Sequence, residues 1–371
     1  MKKVLFLIHD LGPGGAEKVL VNLVNNMDKS KFDITVMSLF DVGINKQFLS
    51  DDVKYKYCFK KMIRGNSHLM KLLSPSVLHN WLIKDKYDIE VAYLEGPCAR
   101  IISGCNKKNT KLYSWIHIEQ HTAQKASASF RSIKEAEACY NKFNRINCVS
   151  KYVMKDFKNC LNITADIGVV YNTNESERII QFSRETVDDI EFCNQDIKLV
   201  GVGKLLKSKG FDRVSRIVKK LVDDGYPVHF YILGSGEEED NLKSYIIEND
   251  LENNITLLDY QTNPYKYISK CDLFVCASFR EGFSTATTEA LILGIPVCTV
   301  DVSGMKEMLG ENNEYGIVTE NNDEELFKAI KSLISNEKML EHYAKQATER
   351  GLSFSTSKTV QAVESMFIGE H

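Results

Sequence analysis

Residues 273–300 constrain the fold more than any other stretch of the chain. An apolar run, Leu273-Phe-Val-Cys-Ala277, passes a Gly turn at Gly282 and enters a helical pattern that Gly294 and Pro296 close. A second apolar run, Pro296-Val-Cys-Thr-Val300, follows at once. Two short, uniformly apolar strands joined by one helix pair in parallel inside a sheet covered on both faces. In such βαβ units, ligands sit at the carboxyl ends of strands and the amino ends of helices. At that position the chain sets two carboxylates, Glu281 and Glu289, around a small hydroxylated run from Ser284 to Thr288.

The same alternation extends in both directions. In the first half it predicts strands at residues 4–8, 34–39, 53–57, 89–94, 112–116, 146–149 and 169–171, and helices at 16–27, 77–84, 128–143 and 152–160. Residues 173–196 are polar and read as a linker or a surface helix. The alternation then restarts at Ile197 and continues to residue 318. Two further helices are predicted at 323–334 and 338–350, and a last one near 355–368 carries Val360, Val363 and Phe367 at helical spacing. At 371 residues the chain is long enough for two such α/β domains, each a parallel sheet wrapped by helices.

Composition excludes several classes of function. A formal net charge of −3 gives no overall drive toward nucleic acid. The ten cysteines are scattered without a C-x-x-C pair, which reads as free thiols in a reducing compartment rather than disulfides or a zinc site. No run approaches the ~18 apolar residues of a membrane span. The N-terminal apolar run is too short for a secretory signal. These features point to the cytoplasm.

Several loops at strand ends carry candidate chemistry. Gly12, Gly14 and Gly15 join a strand to a helix, which suits either a tight turn or an anion approaching helix N–H groups. Their spacing is not that of a dinucleotide fingerprint. Lys204 and Lys209 flank the next such loop in the second half, where loop lysines are either solvated or set against a diphosphate. Gly234 ends the following strand, and His117 ends a strand in the first half. From Lys54 to Lys71 the chain has Lys60, Lys61, Arg64 and three more lysines with no acid. Aromatic residues are interleaved there, as on a solvated face or on a patch for anionic headgroups.

Taken in order, these pieces resemble the family 4 glycosyltransferases, retaining enzymes of the GT-B architecture. They are Gly14-Gly15-Ala16-Glu17, Val202-Gly203-Lys204 with Lys209-Gly210, Leu233-Gly234-Ser235-Gly236, Asn263-Pro264-Tyr265, Glu281-Gly282-Phe283 with Glu289-Ala290, and Gly294-Ile295-Pro296. The resemblance covers nearly the whole chain and is strongest over residues 200–309. It implies two Rossmann-like, doubly wound domains facing each other across a cleft. Residues 1–175 would bind the acceptor, residues 176–353 the nucleotide sugar, and the helix in 354–371 would cross back to the first domain.

The resemblance also implies roles. Glu281 would touch donor-sugar hydroxyls, Glu289 the ribose, and Lys204 and Lys209 the diphosphate. Gly234, Gly282, Phe283 and the amides of Ser284 and Thr285 would complete the donor site, with Tyr260 covering the base. His117 would face the sugar, and Gly14 and Gly15 the phosphates. Glu281, His117 and Lys209 are the catalytic candidates. Lys60, Lys61 and Arg64 form an acceptor or membrane patch.

The implied reaction moves a hexose or N-acetylhexosamine from a UDP-linked sugar to a glycan or lipid-diphosphate-linked saccharide. It belongs to surface polysaccharide biosynthesis, uses no cofactor or metal, and runs in the cytoplasm or on the inner face of the plasma membrane. Lys stands at 204 where the family often has Arg, and the Ser/Thr run at 284–288 replaces Gly, Pro and apolar residues. The second departure bears on which sugar is accepted. Catalytically silent sugar-binding subunits and nucleotide-sugar epimerases share the architecture and remain the alternatives.

Overall fold

The computed structural model describes residues 1–61, 70–193 and 195–369. The chain divides into two compact units, Met1–Asn174 with Thr356–His371, and Glu175–Ser355. Each is built on one parallel sheet.

The first sheet contains β1 (Lys2–Ile8), β2 (Phe32–Phe40), β3 (Lys54–Phe59), β4 (Ile89–Ala92), β5 (Lys111–Ile116), β6 (Arg145–Cys148) and β7 (Asp166–Val169). Their order is β3-β2-β1-β4-β5-β6-β7, and every pairing is parallel. Val4 to Ile8 are wholly buried, as a central strand covered on both faces requires. The chain winds outward from β1 to β3, then returns to β4 on the other side of β1. Loops after β1 and β4 therefore diverge, and in open parallel sheets ligands bind at the strands' carboxyl ends beside such a divergence.

The second sheet repeats the design with β8 (Ile197–Val202), β9 (Val228–Leu233), β10 (Ile255–Leu257), β11 (Leu273–Cys276), β12 (Val297–Val300) and β13 (Ile317–Thr319). The order is β10-β9-β8-β11-β12-β13, again all parallel. Here the winding reverses between β8 and β11. The helix Phe211–Asp223 buries Val214, Ile217, Val218 and Leu221, an i, i+3, i+4, i+7 stripe, against this sheet's core. The C-terminal helix Thr356–Ile368 packs in the first unit, where the Phe367 ring lies 5.1 Å from Tyr113 and 6.0 Å from Phe6.

The structure revises the bounds of two predicted elements and resolves the open reading of a third. The helix predicted at 128–143 is confined to Ile133–Tyr140, because Ser132 caps it by accepting the Glu135 N–H. The last strand of the first sheet is Asp166–Val169, set by its pairing with β6 rather than by the more apolar residues 169–171. The polar stretch 173–196 contains the helix Ser176–Phe182, which is fastened within the second unit. Asn263 Nδ2 donates to the Phe182 carbonyl, and the Ser269 hydroxyl to that of Ser183.

Candidate active site

The reversal between β8 and β11 gathers most of the sequence candidates of the second unit. Lys209 lies after β8 and Glu281 after β11, and Lys209 Nζ donates to Glu281 Oε1 at 2.7 Å. The Ser278 hydroxyl donates to the same oxygen, also at 2.7 Å. The Cys276 thiol stands 4.0 Å from it. Burial works against the Lys209 charge, but the Glu281 carboxylate outweighs it and holds the ammonium pKa above its usual value. The pair is thus a strong, oriented charge-assisted contact.

The loop carrying Glu281 is fixed from below by a residue that the sequence reading missed. Arg213 is almost wholly buried. Its guanidinium donates to the Ala277 carbonyl at 3.1 Å, to Asp323 at 2.7 Å and to Asn321 at 2.8 Å, and lies over the Phe279 ring. The Phe279 N–H donates to the Ser208 carbonyl, which ties the two loops together. Gly210, at φ 69°, lets the backbone pass so close to Ala277 that a Cβ would strike its carbonyl.

Behind Glu281 the chain turns through Gly282 and Phe283 into the helix Thr285–Ile292. Phe283 is buried, edge-on to Phe354 at 5.6 Å. The Ser/Thr run is engaged locally. Ser284 Oγ caps the helix, accepting the Thr287 N–H at 3.3 Å and the Thr287 hydroxyl at 3.0 Å. Thr288 donates its hydroxyl to the Thr285 carbonyl at 2.7 Å. Thr287 and Thr288 are wholly buried. The sequence expectation that this run bears on sugar choice therefore meets hydroxyls that are occupied within the helix start. The first N–H groups of that helix, including that of Thr285, have no partner inside it, as at any helix start, and suit an anion.

Glu289 is buried on the same helix and accepts the Tyr265 hydroxyl at 3.2 Å. Lys204 is exposed at the end of β8. Gly234, at φ 147°, passes so close to Gly203 that a Cβ would collide with the Gly203 carbonyl. The Gly234 N–H donates to the Asp259 carbonyl at 2.7 Å, holding the loop that presents the exposed Tyr260.

In the first unit, His117 follows β5. Its Nε2 lies 2.9 Å from the Tyr93 carbonyl, an acceptor only, so Nε2 carries the proton and Nδ1 the lone pair. Burial depresses its pKa to about 4. The His117 N–H donates to Glu95 Oε2 at 3.1 Å, and Glu95, just past β4, has its carboxyl raised above the usual range by burial. Sequence reading missed Glu95, because nothing in Leu94-Glu95-Gly96 marks it apart from the strand before it. Gly14 caps the helix Gly15–Asn26, and the Glu17 carboxylate folds over it. An anion approaching Gly14 and Gly15 thus meets a carboxylate already there. Lys60 and Lys61 are exposed beyond the end of β3, whereas Arg64 lies outside the described residues.

Residues 183–350 match the family model described as Glycosyl transferases group 1. The chain is 27% identical, over the full length of both proteins, to the N-acetylgalactosamine-N,N'-diacetylbacillosaminyl-diphospho-undecaprenol 4-alpha-N-acetylgalactosaminyltransferase of Campylobacter jejuni. It is 28% identical over 206 residues to the capsular polysaccharide biosynthesis glycosyltransferase CapM of Staphylococcus aureus, about half of each chain. The structure of Anabaena HepE solved with UDP superposes with a TM-score of 0.79 at 18% identity, covering 99% of this chain and 100% of that one. Over residues 183–350 the chain is thus similar to the glycosyl transferases group 1, and its two parallel-sheet units are those of the GT-B fold.

Proposed function

We propose that the protein is a retaining glycosyltransferase that moves a hexose or N-acetylhexosamine from a UDP-linked sugar to a saccharide acceptor, glycan or lipid-diphosphate-linked, in surface polysaccharide assembly. The observation that carries this reading is the Lys209–Glu281–Ser278 contact at the carboxyl edge of the second sheet, beside the open amino end of the helix Thr285–Ile292. In glycosyl transfer the bond from C1 to the diphosphate oxygen breaks, and its electron pair leaves with the nucleotide. The acceptor oxygen bonds C1 and gives up its proton. Negative charge grows on the leaving diphosphate while C1 passes through an oxocarbenium-like state. A lysine and helix amides already aimed at that charge stabilise it most at the transition state.

In this reading Glu281, its Oε1 fixed by two donors, turns Oε2 to the sugar hydroxyls, and Lys204 with Lys209 holds the diphosphate. Glu289 meets the ribose and Tyr260 the base. His117 offers a neutral Nδ1 acceptor to a hydroxyl. No metal takes part, since lysines and amides balance the diphosphate.

The acceptor side rests on a second observation. From Lys54 to Lys84 the sequence has seven basic residues and no acid. Leu73, Val77 and Trp81, at i, i+4 and i+8, are exposed in the same stretch, on and just before the helix Pro75–Leu82. Basic charge beside an exposed apolar stripe suits an anionic lipid surface. No helix among the described residues is long and apolar enough to cross a membrane.

A thermal-shift panel of nucleotide sugars identifies the donor, because ligands of the native state raise its melting point. The anomeric configuration of the product, read by NMR, then tests retention. Interconversion of the donor without acceptor would instead indicate an epimerase, and binding without turnover a silent subunit. Sedimentation with phosphatidylglycerol vesicles tests the lipid surface. Binding that survives Lys60→Ser, Lys61→Ser and Trp81→Ser together would remove it.

A further inference from the structure

In the first unit a histidine, a carboxylate and a thiol meet away from the carboxyl edge of the sheet. His79 lies on the helix Pro75–Leu82, Glu90 is the second residue of β4, and Cys105 follows the helix Pro97–Ile102. Glu90 lies within β4, five residues before Glu95 at the candidate site. His79 and Glu90 are wholly buried and Cys105 nearly so. One imidazole nitrogen, one carboxylate oxygen and the sulfur all lie within 4.8 Å of one another.

Hydrogen bonding inside the protein does not satisfy this trio. His79 Nε2 and Glu90 Oε2 are 2.6 Å apart. The second polar atom of each, His79 Nδ1 and Glu90 Oε1, is buried with no hydrogen-bond partner. Lys107 Nζ, which donates to the Asp85 carbonyl, forms an ion pair with Glu90 Oε1 at 3.6 Å, too long for a hydrogen bond. A buried polar atom left unpaired costs about 1–3 kcal/mol, and such atoms call for a missing partner such as an ion.

We infer that His79, Glu90 and Cys105 form a metal site of the zinc class. Imidazole, carboxylate and thiolate together are a donor set that suits Zn²⁺. Bonds of about 2.0–2.3 Å in tetrahedral geometry set ligand atoms roughly 3.3–3.8 Å apart. Binding releases two protons to solvent, that of the Cys105 thiol and one from the His79 imidazolium that Glu90 stabilises. The Glu90 carboxylate and the Cys105 thiolate then balance the two charges of the ion. The ion would pin the helix Pro75–Leu82 and the turn at Cys105 to β4. Its role is structural, and it is independent of the transferase reading.

Scattered thiols without a C-x-x-C pair gave no sign of such a site in the sequence, because its ligands are eleven and fifteen residues apart on three elements.

The test is a Co²⁺ titration of the full chain after chelator treatment, read by absorbance. One equivalent is expected to give a thiolate-to-cobalt charge-transfer band in the near ultraviolet that Zn²⁺ abolishes. Cys105→Ser, small enough to preserve the fold, should lose the band, and Cys139→Ser should keep it. Removal of metal should lower the melting point of the wild type and leave that of Cys105→Ser unchanged. Absence of the band, or its persistence in Cys105→Ser, overturns the site.

Discussion

At the carboxyl edge of the second sheet, Lys209, Ser278 and Glu281 meet through two 2.7 Å hydrogen bonds, and the lysine keeps its charge despite burial. At the carboxyl edge of the first, His117 and Glu95 are pushed by burial toward their neutral forms. The two sheets share a winding pattern and a reversal that exposes loops at the same relative place. What differs is whether each buried ionisable group has a partner of opposite charge. Burial alone neutralises, whereas burial with a counter-charge preserves a strong local field. An edge of the second kind suits a leaving diphosphate, and one of the first kind suits hydroxyl groups.

The comparison breaks most visibly at Lys209. Lys209→Ala is expected to lower kcat at least a hundredfold with the fold intact, since losing one preorganised donor costs roughly 2.7–4 kcal/mol in comparable oxyanion sites. Steady-state kinetics with an unchanged circular dichroism spectrum checks it, and near-normal turnover would remove Lys209 from the chemistry.

At the other edge, His117 should make the protein acid-sensitive. Its pKa is about 4 when folded, against 6.5 for an ordinary histidine. Both states are uncharged there above 6.5. As pH falls through that value the unfolded chain takes up a proton that the folded one refuses, so stability declines until about pH 4. The total loss is about 3 kcal/mol. His117→Gln should flatten this part of the curve in urea unfolding across pH; an unaltered slope would show that another group is responsible.

Ser278→Ala sharpens the contrast. Removing one of two donors to Glu281 should raise the donor KM and lower kcat about tenfold together, the effect of a hydrogen bond to a charged group. Ser278→Thr should restore part of the loss, which a merely structural residue would not show. The smallest effect is at the helix start between the two acids. Ser284→Ala removes a cap worth about 1 kcal/mol, visible as a lower urea midpoint with little change in sugar preference. A switch of preferred sugar would instead return the Ser/Thr run to the donor pocket.

Much of this was legible in the sequence. The strand Val297–Val300 and the helix Asp323–Ile334 appear where their apolar spacing places them. The loop positions of Lys209 and Glu281 followed from strand–helix alternation. Their mutual contact did not, because the residues are 72 apart and only the parallel pairing of β8 with β11 brings them together. Arg213 and Ser278 were hidden for the same reason: an arginine on an amphipathic helix and a serine after a strand look like surface residues until their partners are known. The hydroxyls of Ser284, Thr287 and Thr288 carried the opposite ambiguity, since the sequence does not show the local bonds that each makes at the helix start.

In the proposed reaction the second unit holds the nucleotide's diphosphate through Lys209. Isothermal titration of UDP into the wild type, Lys209→Ala and Glu281→Gln tests that most directly. Lys209→Ala should weaken UDP binding at least tenfold, while Glu281→Gln, which leaves the lysine in place, should bind UDP as tightly as the wild type or more so. Equal affinity in the wild type and Lys209→Ala would contradict it.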